Sequence, residues 1–331
     1  MKATSCVVFV DRDHLAADQA ALAGGVDEGE HFVDEHVAGV LRAHGVKPLR
    51  EHAIAHEEVA EHLAQPHDLR AVVAAAALAA GRRVFMVGLD GFADNAVLAQ
   101  FEHTVARVGA AGRILELLRA HECRDIVLIG KVRRPSLLDM RPDALAAKLL
   151  ARIGRAAFAG DDGLLAAIVK VLGEEGFNVI GAHDVLTEAL APAGLLGQAG
   201  PDAQAMADIG RGVAVTRALG AVDVGQGCVV QEGLVLAVEA IEGTDAMLAR
   251  AGALRRAGPG GVLVKLVKPG QDRRADLPTV GPATVAGAAA AGLRGIAFEA
   301  GGTILAEREA TIAAADAAGL FLLGIEPDKF V

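Results

Sequence analysis

Between Lys268 and Thr279 the chain reads KPGQDRRADLPT, which sets Arg273 and Arg274 beside the carboxylates Asp272 and Asp276 and places the stiff Leu277-Pro278 pair directly after Asp276. Such cations orient phosphates, and an ionised carboxylate can hold a divalent ion or draw a proton from water. From residue types alone a solvated charged turn is the simpler reading. Two further stretches carry similar material. EGTDAM (242–247) places Thr244 where it would cap a helix and leave first-turn N–H groups to a phosphate, although capping alone accounts for it. GKVRRPS (130–136) puts Lys131, Arg133 and Arg134 at a strand end, a positive cluster that suits an anion.

Several other chemistries are disfavoured. GQGCVVQ (225–231) lacks a third glycine and runs into a strand rather than a helix, so it is no dinucleotide fingerprint, and there is no Walker A or G-x-S-x-G sequence. Residues 1–67 hold His14, His31, His36, His44, His52, His56, His62 and His67, which tempts a metal reading. HEEVAEH, however, has Ala60 where a zincin needs its second histidine, and these side chains read as surface histidines. Cys6, Cys123 and Cys228 form no C-x-x-C pair, which argues against a disulfide framework or structural zinc and for a reducing cytoplasm.

The elements that must position these residues alternate in type. Asp68 caps a helix that ends before Gly81, and VFMVGL (84–89) comes next as a buried strand. GRILELLRAHECRD (112–125) is a helix and IVLIG (126–130) a strand; helices at 142–154 and 161–176 precede NVIGA (178–182). This order predicts a parallel sheet covered on both faces. LAPAGLLGQAGPD (190–202) lacks periodicity and marks a domain boundary. Beyond it the pattern predicts a helix over 203–219 and a hairpin turning at Glu232-Gly233. A helix opened by EGTDAM, a strand over 261–268 and a helix from Pro282 come next. Strands near 295–307, a helix over 308–318 and a last strand LFLLGI complete the unit. The chemistry-bearing loop at 268–279 then lies beyond the carboxyl end of a strand, where open α/β sheets bind ligands.

The chain has 331 residues, enough for two domains, and a formal charge of −10, which repels nucleic-acid phosphates. Trp and Tyr are absent, removing most platforms for base stacking. The longest apolar run, 71–80, is too short to span a bilayer, and the N-terminal run before Asp11 is too short for a signal peptide, so a soluble or peripheral protein without nucleic-acid partners is expected.

The segments GKVRRPSLLDMRPD, GDDGLL, EGFNVIGAHDVL, DVGQGCVVQEGLVLAVEAIEGTDAML, KPGQDRRADLPTVGPATV and AAADAAGLFLLGIEP together resemble the LpxI family of UDP-2,3-diacylglucosamine pyrophosphatases of lipid A biosynthesis. The similarity runs from about residue 69 to the end. It implies two three-layer α/β domains, the first Rossmann-like, with a ligand cleft between them: an N-terminal domain over 68–190 and a catalytic domain over 195–331, after a divergent segment over 1–67. It implies Mg²⁺-dependent cleavage of UDP-2,3-diacylglucosamine to 2,3-diacylglucosamine 1-phosphate (lipid X) and UMP. The family's essential aspartate lies in R-x-D-L-P-T, which is RADLPT here and points to Asp276, as a metal ligand or as the group that orients water. On the same resemblance Lys131, Arg133, Arg134, Gln226, Gly243, Thr244, Asp245, Lys265, Arg274 and Thr279 are candidates for binding substrate, and Asp276, Asp245 and Glu239 for the metal. Glu232 and Glu242 are further acids considered for the metal shell, with Asp245 ranked first because it opens a helix. Two acyl chains would need an apolar groove. The resemblance implies a cytoplasmic protein, with peripheral contact to the inner membrane and a homo-oligomeric state as further expectations.

One stretch departs from the family. Its first strand is usually followed by a glycine-rich turn of the type G-G-G-x-L-P, whereas AQPHDL (64–69) keeps only Leu69. Glycines allow close backbone approach to a ligand, so this wall of the pocket differs. Segment 1–67 is then either a divergent extension, with CVVFVD as a substitute first strand, or the product of an upstream frame error, the slightly favoured alternative. Two other functions stay open: a weakened binding protein that keeps the lipid X or UDP-sugar cleft, and a nucleotide-sugar hydrolase without acyl preference.

Overall fold

A computed structural model of the chain describes residues 5–10 as backbone, and 68–130, 141–153, 161–186 and 189–330. The histidine-rich tract and the cluster of Lys131, Arg133 and Arg134 lie outside the described residues.

The first unit is a five-stranded sheet in the order β3-β2-β1-β4-β5. Its strands are β1 (Ser5–Val10), β2 (Val84–Leu89), β3 (His103–Ala106), β4 (Asp125–Gly130) and β5 (Asn178–Ile180). Its helices are α1 (Leu69–Ala79), α2 (Asn95–Leu98), α3 (Ala111–Ala120), α4 (Ala144–Ile153), α5 (Asp161–Glu174) and α6 (Ala182–Val185). Asp68 caps α1, its carboxylate accepting from the Arg70 N–H at 2.9 Å. The alternation of β2 sorts its side chains to two faces. Val84 and Met86 pack with Ala71, Val73, Ala74 and Ala77 of α1, while Phe85 and Val87 pack with Leu115, Leu117 and Leu118 of α3. That makes three layers.

The sheet is not parallel throughout, as the order of elements had predicted. β2 and β3 are parallel, as are β4 and β5, but the central β1 runs antiparallel to both its neighbours, with Val8 opposite Met86 and Val127. A continuous apolar run marks a strand buried on both faces and says nothing of its direction. CVVFV occupies the central slot, in the opposite sense to both its neighbours.

The second unit has a six-stranded sheet in the order β6-β13-β11-β9-β7-β8. These strands are β6 (Gly194–Leu196), β7 (Gly227–Gln231), β8 (Leu234–Val238), β9 (Val262–Lys265), β11 (Gly295–Glu299) and β13 (Phe321–Ile325); β10 (Thr279–Val280) and β12 (Ile304–Leu305) form a separate pair. β9, β11 and β13 are parallel to one another, and the rest of the large sheet joins antiparallel. α7 (Ala203–Ala221) covers one face through Ala205, Ile209 and Val213. α8 (Gly243–Ala253), α9 (Pro282–Ala290) and α10 (Arg308–Ala318) cover the other, with Met247, Leu248, Val285 and Ala315 against Leu263, Ile296 and Phe298. The β7–β8 hairpin turns at Glu232 and Gly233, both at positive φ, and the buried Asp208 of α7 accepts the two turn N–H groups at 3.0 and 2.7 Å. The turn is thus held from beneath.

The units are stitched together by the loop that comes after β9 and by β12. Leu277 and Ile304 of the second unit lie in the apolar cluster of α1, β2 and β4, and Ala275 packs on the opposite cluster of the first unit.

Candidate active site

Asp276 sits in the segment between β9 and β10, past the carboxyl end of β9, with neighbours on both sides inserted into the first unit. Its Oδ2 accepts from the side-chain Nε2 of Gln271 at 2.6 Å, and its Oδ1 has no hydrogen bond among the described residues. Burial pushes the Asp276 pKa up, and the nearby charge of Asp162 adds to this; Lys268, Lys265 and the Gln271 bond pull the other way.

The cations that act on Asp276 are Lys268 and Lys265, not the two arginines next to it in sequence. Arg274 makes two bonds to Asp272, Nε to Oδ1 at 2.9 Å and Nη2 to Oδ2 at 2.7 Å, and Arg273 pairs with Glu299 at 3.0 Å. Arg274, a candidate for the substrate, is spent on fastening its own loop. Lys268 takes its place near Asp276. Its ammonium lies 2.7 Å from Asp162 Oδ1 at the start of α5 and 2.5 Å from Asp223 Oδ1 just beyond α7. The Asp162 contact is an ion pair without hydrogen-bond alignment. Asp223 also accepts the Asp162 N–H at 3.2 Å, so an acid of the second unit serves the N-terminus of a helix of the first. Burial opposes ionisation of Asp223, but the bonds from Lys268 and the Asp162 N–H outweigh it and its pKa falls below the usual value. At Asp162 burial dominates and the pKa rises; at Lys268 the two carboxylates outweigh burial and the pKa rises.

A second buried chain of polar groups runs alongside. Lys265, 5% exposed, donates to Thr244 Oγ1 at 2.8 Å and to the Thr279 carbonyl at 3.1 Å; the Thr244 hydroxyl donates in turn to Glu239 Oε1 at 2.7 Å. Thr244 is therefore no helix cap: α8 begins at Gly243 with Glu242 before it, and the threonine hydroxyl joins a cation to an acid. Glu239 Oε2 is buried without a hydrogen-bond partner, and Gly227 admits it, since a Cβ there would stand 2.7 Å from that oxygen.

The remaining candidates scatter. Gln226 is half-buried, its carbonyl accepting from Leu266 N–H at 2.9 Å and its side-chain oxygen buried without a partner. Gly243 adopts φ +79° at the head of α8. Asp245 is exposed in the same first turn, Glu242 pairs with Arg250, and Glu232 lies exposed in the hairpin turn. Among the described residues no three His, Cys, Asp or Glu side chains are grouped to hold a metal, so Asp276, Asp245 and Glu239 do not form a preassembled cage. Asp162, Asp223 and Gln271 were missed as site residues, and Lys268 was read only as one cation of its own loop. Each stands inside a segment that carries the resemblance, but long-range pairing, not local pattern, reveals what it does.

Models of the LpxI N-terminal domain and the LpxI C-terminal domain match residues 68–189 and 192–323. The chain belongs to the LpxI family. A curated relative from Caulobacter vibrioides, named UDP-2,3-diacylglucosamine pyrophosphatase LpxI, is 46% identical over 257 residues, which is 76% of this chain and 91% of its own. The mixed α/β architecture in two units agrees with the two family domains. Among the described residues no helix is long and apolar enough to cross a membrane.

Proposed function

We propose that the protein hydrolyses the pyrophosphate bond of UDP-2,3-diacylglucosamine, the compound in its relative's name, giving 2,3-diacylglucosamine 1-phosphate and UMP in lipid A biosynthesis. The observation that carries the reading is the position of Asp276: a half-buried carboxylate at the junction of the two units, with one oxygen uncommitted among the described residues and the ammonium groups of Lys265 and Lys268 close enough to act on its charge. An anhydride bound there would meet two cations that favour its negative oxygens. Ionised Asp276 presents Oδ1 to the reacting phosphorus, to orient the attacking water or to ligate Mg²⁺. The hard oxygen donor fits that ion, which commonly takes only one or two protein carboxylates and completes its shell with phosphate oxygens and water. When bound, Mg²⁺ would neutralise charge developing at phosphorus.

Glu239 has a different part on this geometry. Coupled through Thr244 to Lys265, it fixes the ammonium against the Thr279 carbonyl rather than competing for a metal. On this reading the protein works in the cytoplasm, in peripheral contact with the inner membrane that holds its diacylated substrate. The test is UMP release from UDP-2,3-diacylglucosamine with and without Mg²⁺, beside Asp276→Ala. Release by the wild type alone supports the reading; full turnover by the variant removes Asp276 from the chemistry. Binding of the substrate without release would make the protein a carrier of the ligand.

A further inference from the structure

Gln271 is 8% exposed, and its main-chain N–H and both ends of its side-chain amide are engaged within its own loop. KPGQ forms a type II turn: Pro269 at the second position, Gly270 at φ +81° at the third, and the Gln271 N–H donating to the Lys268 carbonyl at 3.1 Å. The side chain then folds back. Its Oε1 accepts from the Lys268 N–H at 3.0 Å, so both main-chain groups of Lys268 are tied to one glutamine. That bond decides which way the amide lies. With Oε1 taken, Nε2 is the end that meets Asp276 Oδ2, at 2.6 Å.

We propose that Gln271 is the positioning residue of the reaction: it holds the Asp276 carboxylate by Oδ2 and so aims Oδ1 at the anhydride. This rests on the reading of Asp276 as the hydrolytic carboxylate. No close relative of glutamine can do the same. Glutamate could accept from Lys268 but would set a carboxylate against a carboxylate; methionine fills the space and makes neither bond; asparagine is a methylene too short to span the turn. The turn itself is anchored, because the Lys268 side chain is gripped by Asp162 of the first unit and Asp223 of the second. The aim of Asp276 is thereby referred to both units.

The experiment uses the full chain with Gln271→Met, Gln271→Glu, Asp276→Ala and each double variant. Loss of the Nε2 bond lets the carboxylate turn, and misplacement of a reacting group lowers kcat by roughly 10- to 100-fold. KM should stay within about twofold, since the substrate contacts themselves are unchanged. A Gln271→Met enzyme with wild-type kcat, or with its whole loss in KM, overturns the proposal. A second readout needs no activity. The urea midpoint should fall on Gln271→Met in the wild-type background and fall much less in the Asp276→Ala background, because the partner is already gone. Equal shifts in both backgrounds also overturn it. If Gln271→Met does not fold, Gln271→Glu carries both measurements, with Asp276→Ala relieving its repulsion. A wild type that releases no UMP sinks the pyrophosphatase reading alone, and the urea cycle then decides whether Gln271 holds Asp276.

Discussion

Lys268→Met would leave two carboxylates facing each other across the junction of the units with no cation between them. The ammonium is well covered, its side chain 10% exposed, and Asp162 and Asp223 are 16% and 19% exposed, so water can replace it only in part. Removing one partner from a buried pair costs about 3–5 kcal/mol, and the partial access here puts the expected loss at the low end, about 3 kcal/mol. With an unfolding entropy of about 2.1 cal/mol/K per residue over 331 residues, that lowers Tm by roughly 4 °C. The pH dependence gives a sharper check. In the wild type, the lowered pKa of Asp223 contributes stability that is present above its unfolded value and lost as pH falls; the raised pKa of Lys268 contributes stability that is present below 10.5 and lost as pH rises through the folded value. Asp162, its pKa raised, works in the opposite sense to Asp223 and resists ionisation. The deficit of the variant is therefore widest near neutrality and shrinks in acid, where both carboxylates take up protons. Thermal unfolding followed by circular dichroism at several pH values measures it. The reasoning is refuted if Lys268→Met unfolds within a degree of the wild type at neutral pH, or if its cost is unchanged when Asp162→Asn and Asp223→Asn remove the stranded charges.

Asp276→Asn keeps shape and the Gln271 bond but removes a charge that burial disfavours. It should abolish UMP release while raising the urea midpoint at neutral pH, and the gain should vanish in acid, where the wild-type carboxyl is itself protonated. Thr244→Val cuts the hydroxyl link between Lys265 and Glu239. Unlinking buried polar groups costs about 1–3 kcal/mol of stability by denaturant titration, and UMP release should drop by at least roughly tenfold if the link positions Lys265. Leu277→Ala empties a place in the apolar cluster of the first unit, for a loss of about 2–5 kcal/mol. Unchanged stability there would mean that the loop is not anchored as described.

The larger elements could be read from the chain because their strands are short apolar runs between turn residues and most of their helices have a visible start or stop; the short β3, β6, α2 and α6 were not. The Glu232-Gly233 turn and the helix from Pro282 are where local chemistry asks for them. The direction of Ser5–Val10 was not legible, since a short apolar run reads alike either way. At the site, Asp276 stood out through its motif, while its surroundings were misjudged. Arg273 and Arg274 are neighbours in sequence but are consumed by Glu299 and Asp272. The acid that closes the Lys268 clamp, Asp162, arrives from a different unit and a different helix, and no spacing rule links the two. Gln271 is uncharged and five positions from Asp276, so nothing in its residue type advertised its bond.

The insertion of Leu277 and Ile304 among the side chains of α1, β2 and β4 makes the two halves poor candidates for separate use. Expressed alone, the N-terminal half would show solvent an oily socket and the C-terminal half would carry the plug. A chimera that exchanges one half between relatives must exchange the matching plug or socket with it, which ties the two halves' histories together wherever this family has diversified.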